Sequence, residues 1–161
     1  MNWEKLFRMQ KQLDSYIQTT HQLESVNLFD KKVLALLVEV GELANETRCF
    51  KFWSNKAPSE QSVILEEYVD GLHFILSLGL EKEYSYNKEY ISQSELSVTD
   101  VFNTVFEQII AFKQDPSKEK FTQLFQQYIS LGSVLGFSEE DIQTAYFDKN
   151  KINHERQNQG Y

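Results

Sequence analysis

Three carboxylates follow one another along a short segment that begins in apolar sequence. Glu39, Glu42 and Glu46 stand at positions i, i+3 and i+7, directly after the apolar residues 33–38. In a helix this spacing puts the three side chains on one face. Two unit charges about 4 Å apart repel by roughly 4 kcal/mol at an effective dielectric near 20. The repulsion must therefore be offset by protonation, a basic partner, exposure to solvent or a metal ion.

A second carboxylate pair lies further along the chain. Glu67 and Asp70 stand at i and i+3, within a segment rich in apolar residues, and His73 follows three positions later. If the two segments are antiparallel helices joined by a short loop, the two pairs can face each other across the helix interface. Four carboxylates in that position suit Mg²⁺, which prefers carboxylate oxygens and keeps waters for a substrate phosphate.

Other interpretations of these carboxylates stay open. They can form a solvated helix face, because acidic residues are mostly exposed. A non-enzymatic helical module whose acidic face binds a basic protein also fits. A di-iron bundle needs Glu-x-x-His on two helices, whereas this chain has Asp70-x-x-His73 once. Soft-metal and zinc sites need more Cys and His ligands than the one Cys and three His of this chain offer, and there is no glycine-rich phosphate loop.

Long helices must position these residues, because only two prolines and six glycines interrupt the chain. Apolar spacing predicts an all-α bundle of about six helices, with the site between two antiparallel helices. Asn27 or Asp30 can cap the second helix, and Ser59 or Ser62 the third. Residues 81–97 are predicted to be a connecting loop. The predicted helices are 3–19, about 30–47, about 59–80, 97 to a break at 115–117, 120–136, and 138 onward.

Composition limits the class of protein. The length of 161 residues predicts a single domain, 1–161. The net charge of −8 argues against a duplex-wide nucleic-acid surface, although a small phosphorylated ligand can bind through metals. Cys49 is the only cysteine, which excludes an intrachain disulfide. No apolar run approaches the ~18 residues of a membrane span, and the N-terminus shows no signal core. We expect a cytoplasmic protein without membrane or nucleic-acid partners.

The chain also resembles a known family. The order "VEVGELANE … CFKFW … LEEYVDGLHFILSLGLE … YFDKNKINHERQNQGY" is similar to the dimeric, all-α dUTP diphosphatases (dUTPases). These belong to the wider all-α nucleoside triphosphate pyrophosphohydrolases. The resemblance covers nearly the whole chain. The two acidic pairs are typical of the superfamily, while the "FW" segment, "DGLHF" and the "KN…N…RQ…GY" tail are more specific to the dUTPase branch.

The resemblance implies hydrolysis of dUTP to dUMP and pyrophosphate by a homodimer that uses two or three Mg²⁺ ions with substrate bound. It leaves open the use of dUDP, and another deoxynucleotide such as dCTP is the alternative substrate. It assigns the metal ligands to Glu39, Glu42, Glu67 and Asp70. Glu42, in preference to Glu39, is expected to accept the proton of the attacking water, whose pKa a bound metal lowers. Glu46 and His73 are expected beside the ligands, with Glu46 as an alternative third ligand.

Residues 146–161 form a basic tail on an acidic protein. Lys149, Asn153 and Arg156 fall at i, i+4 and i+7, on one helical face. Arg and Lys in such a stripe suit phosphate oxygens, but compensation of the helix dipole explains the same spacing. The resemblance favours nucleotide binding and implies that this tail, with Tyr161, closes over the substrate.

Aromatic and polar residues complete the predicted nucleotide site. The resemblance favours Trp53, one of three aromatics in the loop after residue 47, in the base pocket, because a flat ring can stack on a pyrimidine. A lid over the core is the alternative role of that loop. Gln10 and Asp14, one turn apart on the first helix, offer polar groups to uracil.

The apolar residues of 98–112 and 121–135 can form either a dimer interface or the core of a monomer.

Overall fold

The structure is a computed structural model and describes residues 1–87 and 96–161 of the chain. Within these ranges it contains six α-helices and no β-strand. The predicted all-α class is therefore confirmed. The helices are α1 (Trp3–Thr20), α2 (Phe29–Thr47), α3 (Gln61–Glu81), α4 (Val98–Gln114), α5 (Lys118–Val134) and α6 (Glu139–Asn158).

Serine side chains start the last three helices. Ser97 and Ser117 each accept a hydrogen bond from the backbone amide three residues later. Ser138 does the same for Asp141, and the Asp141 carboxylate accepts in return from the Ser138 amide at 2.9 Å. This reciprocal capping box satisfies two amides that have no partner inside the helix. The predicted starts of α4 and α6 are confirmed, whereas α5 begins at Lys118, two residues before its predicted start at 120.

The start of α3 differs from its prediction. Glu60 is the N-cap residue, and no side chain caps the helix, so the predicted cap by Ser59 or Ser62 is wrong. The Ser59 hydroxyl instead donates to the Glu46 carboxylate. The Ser59 side chain thus contacts α2 instead of capping α3, the local contact that the sequence suggests.

Helix α3 lies at the centre of the described structure and packs against α1, α2, α5 and α6. Its contact with α5 is unusually close, because Gly71 faces the Tyr128 ring and Gly132 of α5 faces the Tyr68 ring. The Tyr128 hydroxyl donates to the Tyr68 carbonyl at 2.6 Å, and the Tyr68 hydroxyl donates to the Tyr128 carbonyl at 3.1 Å. These reciprocal bonds fix the position of α3, which carries two of the four predicted metal ligands, Glu67 and Asp70.

The apolar residues of 98–112 and 121–135 lie largely in the core of the chain. Buried side chains on α4 and α5 include Val101, Phe102, Val105, Ile109, Phe112, Phe121, Leu124, Phe125 and Ile129. Of the predicted loop at 81–97, Glu81 is the last residue of α3, residues 82–87 are non-helical, and 88–95 lie outside the described residues. None of the six helices combines the length and apolar character of a membrane span.

Candidate functional site

The two predicted carboxylate pairs meet where α2 packs along α3. Glu39, Glu67 and Asp70 each offer a carboxylate oxygen, and these oxygens all lie within 4.8 Å of one another. Glu42 lies outside this tight set and is exposed, but its charge raises the pKa of both Glu39 and Glu67. We refer to Glu39, Glu42, Glu67 and Asp70 together as the acidic cluster.

The surroundings of the acidic cluster disfavour its negative charge. Burial, followed by the charges of Asp70, Glu42 and Glu67, raises the pKa of Glu39 to about 7. Burial is also the main cause that raises the pKa of Glu67 and of Asp70. A hard divalent cation prefers oxygen donors of this kind, and its charge would offset the repulsion. The residues present therefore fit a Mg²⁺ site.

Lys149 of α6 reaches the acidic cluster. Its ammonium nitrogen lies 2.7 Å from Asp70 Oδ2 and 2.8 Å from Glu66 Oε1. Burial lowers the pKa of Lys149, but the hydrogen bonds to Asp70 and Glu66 outweigh this effect and raise it. The hydrogen bond to Lys149 lowers the pKa of Glu66. Sequence reasoning missed Glu66, although it stands directly before the predicted ligand Glu67.

A cavity of about 290 Å³ lies beside the acidic cluster. Helices α1, α2, α3 and α6 and the C-terminal residue contribute to its walls. It brings together five predicted substrate-binding residues with two residues of the cluster. The lining residues are Gln10, Leu13, Asp14, Ile17, Glu39, Asp70, His73, Phe74, Ser77, Asn153, Arg156 and Tyr161.

A hydrogen-bond network orders one wall of this cavity. The Gln10 amide nitrogen donates to Asp14 at 2.8 Å, and the Ser77 hydroxyl donates to the same carboxylate at 2.7 Å. Gln10 Oε1 accepts from the Tyr146 hydroxyl at 2.8 Å and lies 2.7 Å from His73 Nδ1. Because Gln10 presents an acceptor here, His73 Nδ1 must carry the proton. Burial, helped by the charge of Lys149, lowers the pKa of His73 to about 3, so the ring is neutral.

The loop after α2 stays outside this cavity. Trp53 is 64% exposed and packs edge-on against Phe52, with ring centroids 5.0 Å apart. Glu46 accepts from the Ser59 hydroxyl, and it does not belong to the set of close carboxylate oxygens. Within one chain, the structure therefore does not bring Trp53 or Glu46 to the cavity that the other predicted residues share.

Two larger cavities, of about 700 Å³ each, have no lining residue in the acidic cluster. Ser85 lines both of them. Of these three cavities in the described part of the chain, the one of about 290 Å³ combines ionisable and hydrogen-bonding groups with the cluster.

Comparison with known proteins agrees with this arrangement. A family model described as dUTPase matches residues 2–161. The match includes both carboxylate pairs, the cavity and the basic tail. A comparison with curated proteins finds no match. The family model covers almost the entire chain, and the fold is all-α as the resemblance implies. The chain therefore belongs to the all-α dUTPase family.

Proposed function

We propose that the protein hydrolyses dUTP to dUMP and pyrophosphate in a reaction that depends on a divalent metal ion. Hydrolysis of dUTP to dUMP follows from membership of the dUTPase family. One observation supports the metal dependence above all others. The carboxylate oxygens of Glu39, Glu67 and Asp70 lie within 4.8 Å of one another beside a cavity of about 290 Å³.

Each acidic residue has a proposed role. Glu39, Glu67 and Asp70 would hold Mg²⁺, with Glu42 as a further ligand. Bound Mg²⁺ supplies charge neutralisation at the phosphates and lowers the pKa of a water molecule. We propose Glu42, in preference to Glu39, also as the proton acceptor, because its exposed carboxylate lies outside the tight set. The use of two or three ions stays a prediction, as does a role for Glu46.

The cavity suits the nucleoside and its first phosphate. Gln10 and Asp14 present an amide and a carboxylate to its interior, and the network around them restricts their orientation. A site that hydrogen-bonds the edges of a base discriminates strongly between bases. Arg156 also lines the cavity, and Lys149 lies beside the acidic cluster. We propose that these two cations contact the phosphates and that Asn153 and Tyr161 help to close the cavity. A contact of Trp53 with the base stays a prediction.

The test of this function is a panel of nucleotides with Mg²⁺, assayed for pyrophosphate release. We expect dUTP to be hydrolysed faster than dCTP, dTTP or UTP, and we include dUDP with a phosphate assay. Glu67→Gln serves as the inactive control, because it removes one carboxylate and leaves the size of the side chain unchanged. Release from dCTP in preference to dUTP, or no release with any divalent metal, would contradict the proposal.

We also propose that the protein is a homodimer located in the cytoplasm. Leu34 and Val38 are 62% and 50% exposed on one face of α2, and Phe52 and Trp53 of the following loop are 94% and 64% exposed. Burying such apolar area between two copies stabilises a dimer. Val38→Asp should then sediment as a monomer, whereas Val26→Asp, at an exposed apolar residue of another segment, should not. A monomeric wild type would contradict the dimer.

A further inference from the structure

A lysine side chain, Lys149, contacts the acidic cluster. In the described ranges, Lys149 is the residue whose ammonium makes a salt bridge to the cluster, at 2.7 Å from Asp70 Oδ2. Its side chain extends from α6, and only 7% of the residue is exposed. A lysine this buried has little room to swing into solvent, so its charge stays beside the carboxylates.

The second partner of Lys149 does not belong to the proposed ligand set. Glu66 lies one helical turn before Asp70 on α3, so that one ammonium can contact both carboxylates. The Asp70 side chain is 20% exposed and the Glu66 side chain is 57% exposed. Glu66 can therefore hold the ammonium from the solvent side while Asp70 faces the cavity.

Lys149 and a divalent cation would compete for the Asp70 carboxylate. An ammonium in contact with a metal-binding carboxylate competes with the metal for the same oxygens and repels its charge. Removing Lys149 altogether would also remove a cation suited to phosphate. A second carboxylate that accepts the ammonium resolves the conflict, because Lys149 can then release Asp70 without leaving the site.

We propose that Lys149 is the counter-cation of the acidic cluster in the metal-free protein, and that Glu66 is a positioning residue that retains the Lys149 ammonium when a divalent cation takes Asp70. This inference rests on the proposed metal site. Glu66 thereby keeps a positive charge at the edge of the site, where the phosphates of the substrate would meet it.

The inference predicts opposite effects of two substitutions on metal affinity. Lys149→Met should bind a divalent cation roughly tenfold more tightly than wild type without nucleotide, because the competing ammonium is gone. Glu66→Gln should bind it roughly threefold more weakly, because the ammonium then depends on Asp70 alone. In the Lys149→Met background, Glu66→Gln should change the affinity by less than about 1.5-fold, since the ammonium it positions is absent.

The experiment titrates each protein with Mn²⁺ in the absence of nucleotide and measures free Mn²⁺ by electron paramagnetic resonance. Mn²⁺ is a suitable probe because it prefers the same oxygen ligands as Mg²⁺. Glu155→Gln, at an exposed residue of α6, controls for the loss of one negative charge. Lys149→Gln replaces Lys149→Met if the latter fails to fold, as judged by circular dichroism. The KM for dUTP, expected to rise in Lys149→Met, is a second measurement.

The outcomes separate this inference from the proposed function. The role of Glu66 would be supported if Lys149→Met binds Mn²⁺ more tightly than wild type and Glu66→Gln binds it more weakly, while adding Glu66→Gln to Lys149→Met leaves the affinity unchanged. An equal effect of Glu66→Gln in both backgrounds would make Glu66 a simple source of charge and overturn the inference, while the metal site would stand. Unchanged or weaker binding by Lys149→Met would also overturn it. A wild type that binds no Mn²⁺ would refute the proposed metal site and this inference together.

Discussion

Glu39→Gln should stabilise the metal-free protein at pH 8 and have little effect at pH 5. The wild-type pKa of Glu39 rises from 4.5 to about 7, first through burial and then through the charges of Asp70, Glu42 and Glu67. Because the pKa is higher in the folded state, the proton favours folding. The corresponding contribution to stability is fully present below about pH 4.5 and is lost as the pH rises through about 7.

The size of the effect follows from this shift. A difference of this size between the folded and unfolded pKa corresponds to roughly 3 kcal/mol. Glu39 is only half-buried, so solvent screening reduces the expected gain for Glu39→Gln at pH 8 to about 1–2 kcal/mol. For a domain of this length, the melting temperature would rise by about 2–8 °C.

Urea denaturation in EDTA at both pH values measures this difference directly. Glu155→Gln on the exposed face of α6 serves as the control and should change stability equally little at both pH values. Adding Mg²⁺ should then stabilise the wild type more than Glu39→Gln, because only the wild type keeps the full ligand set. A loss of stability in Glu39→Gln at pH 8, or the same gain at both pH values, would refute the electrostatic reasoning.

Three further predictions concern other parts of the chain. Gly71→Ala should destabilise the fold by about 2–3 kcal/mol in urea denaturation, because the added Cβ would lie 2.1 Å from the Tyr128 hydroxyl oxygen. Adding Tyr128→Phe should recover part of the lost stability. If it recovers none, this clash is not the cause. Ser138→Ala should cost about 1 kcal/mol by removing the α6 cap, and an unchanged urea midpoint would show that the cap contributes nothing. Deleting Tyr161, which is 77% exposed and lines the cavity, should raise the KM for dUTP while the melting temperature stays within about 1 °C; an unchanged KM would remove Tyr161 from the site.

Local signals explain why most of the helix boundaries could be predicted. The caps at Ser97 and Ser138 and the break at 115–117 depend on residues within a few positions of each other. Apolar spacing likewise indicates which face of each helix is buried. The start of α3 was predicted incorrectly because the Ser59 hydroxyl binds Glu46, thirteen residues earlier, and the sequence pattern does not encode that choice.

The candidate site could be predicted only in part for the same reason. Helical spacing placed Glu67 and Asp70 on one face, and the antiparallel return of α3 brought them to Glu39. The pairing of Lys149 with Glu66 joins residues 83 positions apart and depends on how α6 packs on α3. Spacing alone likewise gave no sign that Trp53 lies outside the cavity, because it does not determine the direction of the loop after α2.

The most direct test of the metal site is a crystal structure with Mn²⁺ and a nonhydrolysable dUTP analogue. We predict an anomalous-difference peak within bonding distance of carboxylate oxygens of Glu39, Glu67 and Asp70, with the phosphates of the analogue completing the coordination. A structure in which the analogue occupies the cavity but no peak lies beside these three carboxylates would contradict a metal-dependent dUTPase site.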